Sequence, residues 1–104
     1  MVGTWTGTVQ LDQSSDLLDG GIITINRVDD RLAVTVGPNP RVRYSCVRLV
    51  RTEHGLKFEV SLPNHDETRL LVYDVAFADG AMTGTVTFVR HGLTAPARLT
   101  FTRQ

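Results

Sequence analysis

The sequence holds a single cysteine, Cys46, among its 104 residues. An internal disulfide and a cysteine-based zinc site are both excluded. There is one tryptophan, Trp5, and one lysine, Lys57, so positive charge is carried almost entirely by arginine. Eleven basic residues balance eleven acidic ones. That removes any global attraction to nucleic acid or an anionic membrane, and neither is an expected partner. No apolar run approaches the ~20 residues of a membrane-spanning helix. The opening Met-Val-Gly carries no charged segment followed by an apolar stretch. A cytoplasmic location is therefore expected, or export if the chain is a domain excised from a larger protein.

Chemical signatures are equally scarce. No G-x-S-x-G is present, and Ser14 and Ser15 have no neighbouring base. His54, His65 and His91 each fall in an expected turn. His65-Asp66-Glu67 offers metal-ligating types, but three consecutive loop residues rarely converge on one ion. No metal, cofactor or catalytic residue is expected. Cys46 lies mid-strand and is read as a small buried apolar residue rather than an activated thiol.

What the sequence does contain is alternation. Trp5, Gly7, Val9 and Leu11 share one face of a first strand, with Thr4, Thr6, Thr8 and Gln10 on the other. Segment 12–20, DQSSDLLDG, breaks this pattern, and a helical turn capped by Ser14 or Ser15 and ending at Gly20 is expected there. Further strands are expected at 21–28, 31–36, 41–52, 56–62, 68–77, 81–90 and around Leu99–Phe101, separated by Asp-Asp, Gly-Pro-Asn-Pro, His-Gly, Pro-Asn-His-Asp and Asp-Gly punctuation. About eight short strands with nearest-neighbour turns predict one all-β domain over 1–104, an antiparallel up-and-down β-barrel.

The tetrapeptide TGTV occurs twice, at 6–9 and 83–86. Each copy sets an inward glycine, Gly7 or Gly84, among outward threonines, as strands that bend into a barrel require. Segment 41–52, RVRYSCVRLVRT, admits two registers. Strict alternation sends Tyr44, Cys46 and Arg48 inward, and a buried Arg48 then needs an anionic partner. A bulge near Cys46-Val47 instead places Val42, Tyr44, Val47 and Leu49 inside and Arg48 in water. The arginines at 41, 43, 48 and 51 lack the exposed aromatics of a nucleic-acid strip. In segment 68–77 the core set is Leu71, Tyr73, Val75 and Phe77, leaving Leu70 and Val72 outside as a candidate surface for a second copy or a partner domain. Leu17 and Leu18 are expected to cap the core or plug one barrel mouth.

Gly3-Thr4-Trp5 on the first strand, Asp79-Gly80-x-Met82-x-Gly84-Thr85-Val86 late in the chain and Leu99-x-Phe101-Thr102-Arg103 at its end together resemble the calycin superfamily, in particular small bacterial lipocalin-like domains. The resemblance implies a lipocalin-like barrel with Trp5 closing its floor and Arg103 packing over it. It also implies an interior ligand. An inward Arg48 with Tyr44 would resemble the pair that fatty-acid-binding proteins set against a carboxylate. The chain is shorter than a typical lipocalin, and its single tryptophan sets it apart from avidins.

Three functions remain open. One is binding of a small apolar or amphipathic molecule, with Tyr44, Arg48, Phe58, Tyr73, Leu17 and Leu18 as contacts. A second is a non-catalytic accessory module. The third is a cyclase acting by shape within the barrel, as small calycin-like barrels can.

Overall fold

A computed structural model of the chain describes residues 2–11, 17–39, 41–63, 68–90 and 93–104. Nine strands follow in order: β1 (Gly3–Leu11), β2 (Leu17–Val28), β3 (Arg31–Asn39), β4 (Val42–Ser45), β5 (Val47–Arg51), β6 (Gly55–Pro63), β7 (Thr68–Ala78), β8 (Ala81–Arg90) and β9 (Leu93–Arg103). They form one antiparallel sheet in the order β4-β3-β2-β1-β9-β8-β7-β6-β5. All neighbours are sequential except β1 and β9, which pair from Trp5–Arg103 to Leu11–Ala97. The result is an up-and-down meander rolled into a nearly closed barrel. Among the described residues, no helix is long and apolar enough to cross a membrane.

The strands number nine rather than eight because the expected strand over 41–52 breaks in two. Its first half, β4, pairs with β3, and its second half, β5, pairs with β6. Between them the Cys46 amide donates to the Val34 carbonyl at 2.9 Å. Register then slips between Val47 and Val50, where Arg48 takes a left-handed φ of 54°. One segment thus serves both edges of the sheet and links them through its own backbone, so the barrel is nearly closed rather than fully closed. The bulge exists but falls one residue later than the alternation suggested. Tyr44, Cys46 and Leu49 pack against the core, while Val42 and Val47 stay exposed.

Segment 17–20 corrects the expectation of a helical turn. Leu17 and Leu18 extend β2, opposite Gln10 and Val9. The apolar pair lacks a helical partner row, whereas β1 presents an open ladder that saturates its backbone groups. The register shifts once, between the Thr8–Asp19 and Thr6–Ile22 pairs, and the Asp19 carboxylate accepts the Gly21 amide at 2.9 Å. Ser14 and Ser15 lie outside the described residues.

The core follows from the inward rows. Trp5, Ile23, Ile25, Val34, Val36, Leu56, Phe58, Val60, Leu71, Tyr73, Val75, Met82, Val86, Ala97, Leu99 and Phe101 are all buried. Trp5 meets Phe77 edge-on at the barrel floor, centroids 5.2 Å apart. Phe58 stacks on Tyr73 across the β6–β7 ladder at 4.9 Å. The Asp79-Gly80 turn has φ values of 53° and 77°, the conformation that a two-residue hairpin of this composition favours.

Candidate functional site

The registers assign side chains to two barrel ends. The floor carries Trp5, Phe77 and Arg103; the opposite end is the mouth. At the mouth, β1 ends in Val9 and Leu11, β2 begins with Leu17 and Leu18, Val42 sits opposite Asn39, and Phe88 opposite Leu71. Leu11, Leu17, Leu18, Val42 and Phe88 are exposed there, with Val9 and Tyr44 half-buried beneath them. Leu17 is 64% and Leu18 48% exposed, so the described part of the rim is apolar and wet. Leu18 shares the inward row of Val9, and Leu17 faces outward with Gln10.

Below the rim lie Val60 and Leu71, then Phe58, Tyr73 and Val86. Tyr73 is only 5% exposed. Its hydroxyl has no hydrogen-bond partner among the described residues. No fully occluded side-chain oxygen or nitrogen of those residues lacks a partner, so this hydroxyl keeps a small solvent-accessible surface. Burial pushes its pKa up to about 12.

The sign of the resulting pH dependence is fixed. Between the ordinary pKa near 10 and the folded value, the unfolded chain loses this proton and the native protein keeps it. Stability is therefore intact below pH ~10 and falls as pH rises towards ~12, by on the order of 2–3 kcal/mol. Urea unfolding at both ends of that window should show the loss, and Tyr73→Phe should remove most of it.

Arg48 does not join Tyr44 in the interior. The bulge turns its side chain outward, where it is 78% exposed and its Nη1 lies 3.6 Å from Glu59 Oε1. A pair this exposed contributes little stability. Among the described residues the buried polar set is Thr24 alone, so no interior charge is seen. Burial raises the Cys46 thiol pKa, outweighing its backbone hydrogen bonds.

At the floor, Trp5 is 2% exposed and stands directly across from Arg103. The Arg103 Cδ and Nε occupy space 3.2 Å from where a Gly3 side chain would begin. The glycine of Gly-x-Trp thus leaves room for the last strand's arginine. Leu70 and Val72 on the outer wall are half-buried, next to exposed Val47 in the row Val47–Glu59–Val72. His54 is exposed beside Glu53 at 3.8 Å, and His65 and His91 lie outside the described residues. No group of three or more His, Cys, Asp or Glu side chains among the described residues is placed to hold a metal.

Two open dimples of about 510 and 470 Å³ mark the outer wall at the two TGTV copies, lined by Thr83, Gly84 and Thr85 and by Thr6, Gly7 and Thr8 respectively. Sequence reading also missed a groove of about 340 Å³ at the floor end, lined by Arg27, Asp30, Arg31, Leu32, Leu49 and Arg51. The signal was available in part: Arg27 continues the inward row Ile23–Ile25. Its partner residues become visible only once the break at Cys46 is known. No family model, curated protein or solved structure matches the chain.

Proposed function

We propose that this barrel binds a small, uncharged, largely apolar molecule through its mouth, as a minimal member of the calycin superfamily. The observation that carries the reading is Tyr73, a buried side chain beneath an apolar rim whose hydroxyl has no protein partner among the described residues. A ligand that excludes water from this hydroxyl must offer an acceptor in its place, so the hydroxyl orients what binds beside it. Phe58 supplies aromatic surface beside it, Tyr44 packs against the same core, and Leu18 and Phe88 line the entrance. Pockets of this kind combine an apolar lining with few polar groups that orient the ligand. With Arg48 outside and no charged side chain buried among the described residues, the proposed ligand is neutral.

Native mass spectrometry of the protein as purified tests this. The expected result is a co-purifying neutral molecule that Tyr73→Phe retains less well, by about fivefold to tenfold for one lost hydrogen bond. Protein without adduct from several expression hosts, with no uptake of 1-octanol by the wild type, overturns it. The same spectra report a dimer, the result expected if Leu70, Val72 and Val47 instead mark a partner surface.

A further inference from the structure

The floor-end groove exists because the wall is incomplete there. Pairing of β3 with the following strand ends where Val34 accepts from Cys46, and the chain then leaves for β6. Among the described residues, Arg31, Leu32 and Ala33 have no strand partner on that side. The opening is walled by side chains that belong to inward rows. Arg27 follows Ile23 and Ile25 on one strand face and pairs with Leu32. Arg51 pairs with fully buried Leu56, two residues after inward Leu49. Leu32 and Leu49 are half-buried and packed against the core, so the groove has an apolar base continuous with the barrel interior.

Its charge is one-sided. Arg27, Arg31 and Arg51 line it against one carboxylate, Asp30. None of the three arginines has an ion-pair partner within 4.0 Å among the described residues, Asp30 included. Arginine forks recognise planar carboxylates in bidentate fashion, and an apolar base beneath them selects a ligand with a short hydrocarbon part. We propose that this groove binds a small amphipathic carboxylate, its head held between Arg27 and Arg51 and its apolar part resting on Leu32 and Leu49. The site is separate from the mouth in position and in charge preference, so either reading can fail without the other.

The test is an amide-resolved NMR titration of the 104-residue protein with sodium octanoate, inorganic phosphate and 1-octanol. Octanoate should produce saturable shifts at Arg27, Leu32, Leu49 and Arg51 with a Kd of about 1 mM or tighter. The double variant Arg27→Gln/Arg51→Gln should weaken this at least about tenfold while keeping the dispersed spectrum of the folded barrel. 1-Octanol should leave those amides unmoved. The proposal is overturned if octanoate shifts there do not saturate by about 10 mM, if the double variant binds as the wild type does, or if phosphate binds as tightly as octanoate.

Discussion

Gly84→Ala should destabilise the barrel by about 3 kcal/mol, the upper end of what overpacking costs. A side chain at Gly84 would begin on the carbonyl oxygen of Asp74, with the Val75 Cα 2.9 Å away and the Asp74 carbonyl carbon at 3.0 Å. These are backbone atoms of β7, a strand held by ladders on both sides, so they cannot yield as a flexible side chain would. Gly7 is in the same situation against β9: its Cβ would fall on the Thr100 carbonyl oxygen, with the Phe101 Cα at 2.6 Å. Gly7→Ala should cost a similar amount. Their threonine neighbours give the contrast. Thr83 and Thr85 are exposed, and alanine there removes only strand propensity, up to about 1 kcal/mol. Urea and thermal unfolding followed by circular dichroism separate the two classes. Each glycine variant should lower Tm by ~12 °C or more, at 4–8 °C per kcal/mol for a domain of this size. A Gly84→Ala variant as stable as Thr85→Ala would remove close strand approach as the reason for the tetrapeptide.

The repeated TGTV therefore has a physical reading that the sequence could support only in outline. Period-two alternation was enough to place Trp5, Gly7 and Val9 inward, to mark Leu71, Tyr73 and Val75 as core, and to predict the meander, because each strand has one wet face and one dry face. The Asp79-Gly80 turn was legible for the same local reason. What alternation cannot encode is a residue that leaves the pattern. Arg48 adopts a left-handed conformation with nothing glycine-like about it, and the cost is carried by the closure of the barrel around it. That single residue decides whether a guanidinium from this segment points inward, so the charge character of the interior was not legible. The helical turn expected up to Gly20 failed at Leu17 and Leu18 for a related reason: their pairing with Gln10 and Val9 depends on a register that shifts between Thr6 and Thr8, which alternation alone does not reveal.

The same limit governs the candidate sites. Tyr73 and Phe58 were named from their inward parity, which is a local property. The floor groove needs two separate pieces of chain, the β2–β3 hairpin and the end of β5, with an unpaired gap between them. Only the break in pairing at Cys46 brings Arg27 and Arg51 to one opening. An inward-row arginine at the end of a strand is a usable signal, but it identifies one wall of a site and not its partner.

Trp5→Ala should be the most damaging single substitution, costing about 4 kcal/mol, within the range for aromatic truncation in a core. The indole is 2% exposed, packs edge-on against Phe77, and lies in the cross-strand pair that joins the first and last strands. Truncation therefore opens a cavity at the point where the barrel closes, with little chance for the two ladders to collapse into it. A domain of this length is stable by about 5–15 kcal/mol, so the variant should be marginal at 37 °C. Trp5→Phe keeps an aromatic edge for Phe77 and should cost about 1–2 kcal/mol. Because Trp5 is the only tryptophan, wild-type fluorescence reports this site directly and should shift to the red on unfolding in one step with the circular dichroism signal. Two separated transitions would show the floor opening before the barrel does. Since Trp5 stands at the floor and the proposed neutral ligand enters at the mouth, Trp5→Phe should leave that ligand bound. Loss of the ligand from a folded Trp5→Phe protein would mean that the interior reaches the floor, and would join the two ends of the barrel into one cavity.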